Sequence, residues 1–294
     1  MEFVEIVKSQ RDATLKYIFR TEDSLIVEFS YINKDDGKDI ICAPCQTMCA
    51  MGCKFCHTTD YIGKIKIRNL SSEEIFKGVN FIYNNLDLGE RVLLVSYMGC
   101  GEPLLNVKQV IDSMKAIVFL GAPLTRFAVA TSLPEACWIS FFHLTEQVQY
   151  YDLKVKIHLS LHYTIDSIRK EWMPLSLSII PSLAAIDFYR KLTGNAVELH
   201  YALIDGVNDT EQDAILLSSF LKDRDFNIKF LFYNERATLD VHASNKEKLN
   251  IFRRYFDKYN IQHEYYIPPG LDIGASCGQF LFDYYEKYGV INEG

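Results

Sequence analysis

The chain has 294 residues, 49% of them apolar and 23% charged, the proportions of a folded protein with a sizeable core and not of a disordered or fibrous one. A formal net charge of -7 excludes a global positive field that would draw the chain onto nucleic acid, leaving only a local basic patch for that task. The longest apolar runs, such as Val92 to Val95 and Ala116 to Leu120, fall short of the roughly 20 residues that span a bilayer. The amino terminus carries no apolar stretch of signal-peptide length, so a cytoplasmic protein without a membrane partner is expected.

In chain order, residues 12 to 33 read as a β-hairpin. Candidate strands follow at Asp39 to Pro44, Val92 to Met98, Phe127 to Thr131, Lys154 to Leu161, Val197 to Leu203 and Asn227 to Tyr233, with a seventh at Gln262 to Ile267. Helical periods lie between them: Ser71 to Asn85 opens with the capping pattern Ser-Ser-Glu-Glu, and Thr210 to Lys222 follows an Asn-Asp cap signal. Alternating strands and helices predict an α/β fold with a mainly parallel sheet, and six such units suit a partial (β/α)6 barrel as readily as an open doubly wound sheet. No proline- or serine-rich linker interrupts the chain. It reads as one structural unit: an amino-terminal β-hairpin extension (1-35), a core (36-262) and a carboxy-terminal extension (263-294). Both architectures place their chemistry in loops at the carboxyl ends of strands.

Five of the eight cysteines crowd between residues 42 and 56, which in a reducing compartment points to a metal or redox site and not to structural disulfides. After the first core strand comes Cys49-Ala-Met-Gly-Cys53-Lys-Phe-Cys56. Three thiolates can hold three irons of a 4Fe-4S cluster and leave the fourth iron open, and Cys45 or Cys42 could close it. The alternative is zinc held by Cys42 and Cys45 with Cys53 and Cys56, although only seven residues separate those pairs. The next strand ends in Gly99-Cys100-Gly101-Glu102-Pro103, where glycines permit close backbone approach and a carboxylate can accept from an ammonium group.

CxxxCxxC with an aromatic residue before its last cysteine resembles the signature of the radical S-adenosylmethionine (SAM) superfamily. From about Asp12 to Asp283 the chain resembles one branch of it, the RlmN/Cfr-type methyltransferases, which methylate an adenine ring carbon in RNA. Beyond Cys49, Cys53 and Cys56, the resemblance rests on Arg68-Asn-Leu-Ser-Ser-Glu-Glu-Ile, on Gly101-Glu102-Pro-Leu-Leu-Asn106, on Ser160-Leu161-His162 and on Asn234 at a later strand end. It rests further on Asp272-Ile-Gly-Ala-Ser-Cys277-Gly-Gln, on Cys42 seven residues before Cys49, and on Val27-Glu28-Phe-Ser-Tyr31-Ile32. It implies a barrel of the radical SAM type, a 4Fe-4S cluster on Cys49, Cys53 and Cys56, and SAM contacts from Gly101, Glu102, Ser160, Leu161, His162 and Asn234.

The resemblance also implies the reaction. Cys277 accepts a methyl group from one SAM, and a second SAM supplies a radical that activates that methyl for attachment to the adenine ring. Glu28 removes the ring proton, and Cys42 forms a disulfide with Cys277 to release the product. A flavodoxin- or ferredoxin-type reductant is implied, and ribosomal or transfer RNA as the partner, with carbon 2 favoured over carbon 8 by GEPLLN. Considered singly, His162 could be an ordinary strand-end histidine, Asn234 a turn cap, Glu28 an exposed strand acid and Cys277 a small buried hydrophobe. The departures are Ala130 where the family has a serine, with Thr131 and Ser132 adjacent, Cys100 in place of methionine, and Gly274 in place of an acid. The segment Tyr266-Ile-Pro-Pro-Gly lacks the family's basic residues. The chain starts where the family's catalytic core starts, so its amino-terminal RNA-holding domain is expected to be missing. Together with the net charge this keeps open the same chemistry on a nucleotide, small molecule or peptide. Lys64, Lys66 and Arg68 form the nearest basic run after the cysteines, either a solvated face or an RNA contact.

Overall fold

A computed structural model describes residues 1–34, 37–86, 91–122, 124–276, 278–279 and 287. Among the described residues ten strands form one sheet whose spatial order follows the chain. The first three, β1 (Glu2–Lys8), β2 (Leu15–Arg20) and β3 (Ile26–Lys34), make an antiparallel meander, and β3 pairs antiparallel with β4 (Lys38–Cys42). From β4 onward every pairing is parallel, through β5 (Val92–Tyr97), β6 (Thr125–Thr131), β7 (Val155–Ser160), β8 (Val197–Leu203), β9 (Asn227–Phe232) and β10 (His263–Tyr266). The helices are α1 (Ser72–Tyr83), α2 (Val107–Val118), α3 (Trp138–Tyr150), α4 (Asp166–Trp172), α5 (Ile179–Thr193), α6 (Glu211–Leu221) and α7 (Lys246–Lys258). They supply the crossovers that parallel neighbours require. The six expected strands of a partial barrel are β4 to β9, and β10 is the seventh.

The strand β1 adds an edge that the sequence pattern had not suggested. Its alternation is broken by a bulge between Phe3 and Glu5, and its side chains are mostly exposed. Phe3 still finds partners, stacking on Phe81 of α1 with ring centroids 4.7 Å apart. Helix α1 begins where its capping pattern predicts, with Ser71 accepting from the Glu74 backbone and the Glu74 side chain accepting from Ser71 N–H. For α6 the cap is Thr210 paired with Asp213, while Asn208 of the Asn-Asp signal is spent elsewhere: its Nδ2 donates to the carbonyls of His162 and Ala202 at 2.6 and 2.7 Å.

The strands alternate faces with period two. On β7 and β8 the outward set Val155, Ile157, Leu159, Val197, Leu199 and Tyr201 joins the helices in the main core. The inward set is polar, Lys156, His158 and Ser160 on β7 and Glu198 and His200 on β8, and it faces the interior of the curled sheet. Burying the outward face drives folding at roughly 25 cal/mol per Å² of apolar surface. The inward face is left for chemistry.

Candidate functional site

Two adjoining cavities lie inside the curled sheet, the smaller at the carboxyl ends of the parallel strands. The smaller, about 170 Å³, is lined by the three cysteines of the CxxxCxxC run together with Gly101, Glu102, Ser160, His162 and Asn234. The larger, about 640 Å³, fills the barrel interior and is lined by Glu28, Cys42, Ser276 and Gln279 among others. Met98, Gly99, His200 and Leu231 line both. Leu161 lines neither: it points outward into the main core, as its place between Ser160 and His162 dictates, and its carbonyl accepts from Arg169. Cys277 lies outside the described residues. Its neighbours Ser276 and Gly278 line the larger and the smaller cavity respectively.

The cysteine loop is braced from several sides. Thr58 Oγ1 donates to Cys56 Sγ at 3.2 Å, and His57 N–H donates to the Gly278 carbonyl at 3.0 Å. Asp60 receives the Arg236 guanidinium at 2.5 Å and the Thr238 hydroxyl at 2.7 Å, and Arg236 also reaches the Lys54 carbonyl. This ties the loop to the segment carrying Asn234. Cys49, Cys53 and Cys56 are free thiols whose pKa values burial pushes up, Cys49 to about 12, with Cys56 adding to the rise at Cys49 and both Cys49 and Cys56 adding to it at Cys53. Thiolates crowded in this way would be costly unless a cation neutralised them. Cys45 packs in the main core and Cys42 lines the other cavity, so the four thiols of the zinc alternative do not share one space.

Gly101 has φ +110°, and a Cβ on it would lie 2.7 Å from Cys45 Sγ and 2.8 Å from Gln46 Cβ. Only glycine fits there, which lets the next backbone N–H, that of Glu102, reach Gln46 Oε1 at 2.9 Å. The Glu102 carboxylate is gripped in turn, accepting from Thr131 Oγ1 at 2.6 Å, Ser132 N–H at 3.0 Å, Ser132 Oγ at 3.1 Å and Leu104 N–H at 3.1 Å. Burial raises its pKa while these donors oppose the rise. Thr131 and Ser132, neighbours of the departing Ala130, therefore act on Glu102 as well as lining the cavity.

His162 sits at φ +54° with Nδ1 accepting from Ala202 N–H at 3.0 Å, so the neutral ring carries its proton on Nε2. Desolvation, then the nearby His200 and Arg169, hold its pKa well below the ordinary value. Arg169, on the short helix α4, escaped the sequence reading. It is fully buried, donates to the carbonyls of Ser132, Ser160, Leu161 and Leu177, and has its pKa pushed down to about 10 by desolvation. It locks the ends of β6 and β7 under the small cavity. A single arginine in a helix carries no periodic signal, and Asp60 with Arg236, 176 positions apart, carries none either.

In the larger cavity Glu28 Oε2 lies 3.1 Å from Nζ of the fully buried Lys16. Cys42 ends β4, between Ser30 and Ser96. The carboxy-terminal turn that leads to Cys277 is pinned to the β1–β2 loop: Asp272 accepts from Ser9 Oγ and Gln10 N–H at 2.8 Å each, and Gly270 N–H donates to Asp12 at 2.8 Å. The basic run is otherwise engaged. Arg68 makes a two-pronged contact with Glu74 at 2.8 and 2.9 Å and pairs with Asp23 at 2.8 Å, and Lys66 also pairs with Asp23.

No family model matches the chain. It is 31% identical over 290 residues to a probable dual-specificity RNA methyltransferase RlmN of Clostridium botulinum, covering 96% of this chain and 79% of that protein. The chain belongs to the RlmN family. The RlmN homologue of Chloroherpeton thalassium is 30% identical over 278 residues, covering 93% and 74% of the two chains. The crystal structure of a radical SAM methyltransferase from Sphaerobacter thermophilus superposes with a TM-score of 0.83 at 26% identity, covering 94% of this chain and 80% of that one. The protein is thus a SAM-dependent methyltransferase with the partial-barrel fold, in a family that works with a 4Fe-4S cluster and SAM. Three unbridged thiols around one cavity fit such a cluster, and the glycine, carboxylate and imidazole beside them fit a small polar cosubstrate. Among the described residues no helix is long and apolar enough to cross a membrane.

Proposed function

We propose that this protein methylates an adenine carbon of ribosomal or transfer RNA, carbon 2 in preference to carbon 8, through a methylated cysteine. The observation that carries the reading is the junction of the two cavities, with the cysteine triad on one side, Cys42 and Glu28 on the other, and the flanks of Cys277 facing both. The homologues named for RNA methylation support the substrate class.

Cys49, Cys53 and Cys56 would hold the cluster, which with SAM supplies one-electron chemistry able to activate an unreactive methyl C–H bond. Gly101, Glu102, Ser160, His162 and Asn234 would orient SAM, with His162 Nε2–H as a fixed donor. Cys277 carries the methyl carbon as a thioether and so tethers the carbon being transferred. Glu28 takes the ring proton. Cys42 thiolate then attacks the Cys277 sulfur: an S–S bond forms, the S–C bond breaks, and its electron pair with a proton completes the product methyl group. The division into hairpin, core and carboxy-terminal extension assigns Glu28, the cluster with Cys42, and Cys277 to one segment each.

The test is incubation of reconstituted enzyme with total RNA and methyl-labelled SAM, followed by digestion to nucleosides. Label in 2-methyladenosine is the expected result. Label in 8-methyladenosine would correct the carbon, and label confined to small molecules would support the second reading, a free nucleotide substrate, which the net charge of -7 favours.

A further inference from the structure

Two opposite charges meet on the inward face of the amino-terminal meander. On β2 and β3 one set of alternate residues, Tyr17, Phe19, Val27 and Phe29, packs outward into the main core, and the other set holds Lys16 and Ile18 with Ile26 and Glu28. The antiparallel register sets Glu28 opposite Ile18, so Lys16 is its diagonal neighbour, within reach of a long side chain. Lys16 Nζ and Glu28 Oε2 are 3.1 Å apart, with the Lys16 side chain fully buried and that of Glu28 13% exposed where it lines the large cavity. The surroundings on this face are apolar: Ile18 and Ile26 join Met48, Ile65 and Cys100 in a small buried cluster.

An ammonium taken fully out of water needs a counter-charge, and a carboxylate at an apolar wall is driven toward its neutral form unless a cation faces it. The protonation state of Glu28 matters because a neutral acid cannot accept the adenine ring proton. The other titratable groups beside it are thiols: Cys42 on the neighbouring β4, and Cys100 in the loop after β5, whose pKa Glu28 helps to raise. Across the cavity burial keeps His158 and His200 on the neutral side, while Lys156 and Lys229 are held by Glu198 and Lys229 also by Glu264. Lys38, Arg126 and Lys154 line the far, amino-terminal end of the cavity. The cation that serves Glu28 is therefore Lys16.

We propose that Lys16 is the positioning residue of the proton-transfer step: its buried ammonium keeps the Glu28 carboxylate ionised and holds it at the wall of the large cavity, toward the adenine ring. The inference rests on the reading of Glu28 as the base and adds the group that makes it one. Pairing weakens Glu28 as a base but guarantees that it is in its accepting form when substrate arrives. It also resets the site, because a protonated Glu28 would leave the Lys16 ammonium buried without its counter-charge, which favours release of the proton.

The experiment follows Glu28 directly, by infrared difference spectroscopy of the cluster-loaded protein against its Glu28→Gln variant, titrated downward from neutral pH. In Lys16→Met, measured against Lys16→Met/Glu28→Gln, the carboxylic-acid band of Glu28 should appear at a higher pH than in the wild type. Lys16→Arg, which keeps the charge, should titrate as the wild type does. If Lys16→Met does not fold, as circular dichroism would show, Lys16→Gln carries the same comparison. A midpoint unmoved by loss of the lysine would overturn the proposal. Methyl transfer to total RNA supplies the second readout. Glu28→Gln should lose about a hundredfold or more, and Lys16→Met about tenfold near neutral pH with KM unchanged and partial recovery as the pH rises. In the Glu28→Gln background Lys16→Met should cost nothing further, since it acts through Glu28; a further loss of the same size would make its role independent and overturn the proposal. Undiminished transfer by Glu28→Gln removes the base reading and this inference with it. An inactive Glu28→Gln beside an unimpaired Lys16→Met removes the inference alone.

Discussion

Replacing Gly101 by alanine tests the close approach on which the small cavity depends. The backbone φ of +110° lies outside what an L side chain readily adopts, a strain of about 1–3 kcal/mol. The new Cβ would also meet Cys45 Sγ at 2.7 Å and Gln46 Cβ and Cγ at 2.8 Å. Neither neighbour can step aside cheaply: Cys45 is buried in the core, and Gln46 is held at both ends of its amide, by Asn69 at 2.8 Å and Glu102 N–H at 2.9 Å. Overpacking of this kind costs about 1–3 kcal/mol more. The sum, roughly 2–6 kcal/mol, should lower the melting temperature by about 4 °C at the least in a chain of this size. Gly63 serves as the control, because its φ is +83° but nothing lies within 4 Å of a Cβ there. Its alanine variant should show the strain alone. Thermal melts by circular dichroism, with SAM binding measured on the folded fraction, make the comparison. If Gly101→Ala melts within about 1 °C of the wild type, or no lower than Gly63→Ala, the steric account is wrong.

Changing Cys49, Cys53 and Cys56 together to alanine should abolish iron binding and brown colour, and a full iron complement in that variant would remove the cluster assignment. Cys42→Ala should keep the cluster yet stall with substrate bound covalently through Cys277, visible as a mass increment on the intact protein; unimpaired turnover would show that release needs no second thiol. Arg169→Met should destabilise by about 3–5 kcal/mol in urea unfolding, since it leaves several buried carbonyls without a donor, and a loss under about 1 kcal/mol would make that bracing unimportant. Burial lowers the pKa values of His158 (to about 3), His162 and His200 below 6.5, so between about pH 3 and 6.5 the unfolded chain binds more protons than the folded one. Stability should therefore be full above pH 6.5 and fall on acidification below it, by up to about 1.4 kcal/mol per pH unit for each such histidine. A flat stability profile from pH 7 to pH 5 would contradict the burial of these rings.

How far the sequence could be followed depends on whether a feature is local. Alternating strands announce themselves through runs such as Val197 to Leu203, and the cluster loop through three cysteines within eight residues, because both signals are contained in a short window. The edge strand β1 was hidden by its bulge, which shifts the alternation, and by its exposure. The brace at Arg169 and the Asp60–Arg236 pair join segments far apart in the chain, and nothing near any of these residues differs from an ordinary polar surface. The same reasoning applies to the barrel wall. On β7 and β8 the alternation of polar and apolar residues reads locally as one solvated face, yet curling the sheet turns that face inward and brings Lys156, His158, Glu198 and His200 together around a cavity. A pattern that on an open sheet would be spent on water is, in a partial barrel, available to a substrate. It follows that in this fold the inward polar positions of the strands, and not only the loops at their carboxyl ends, line the space open to a substrate.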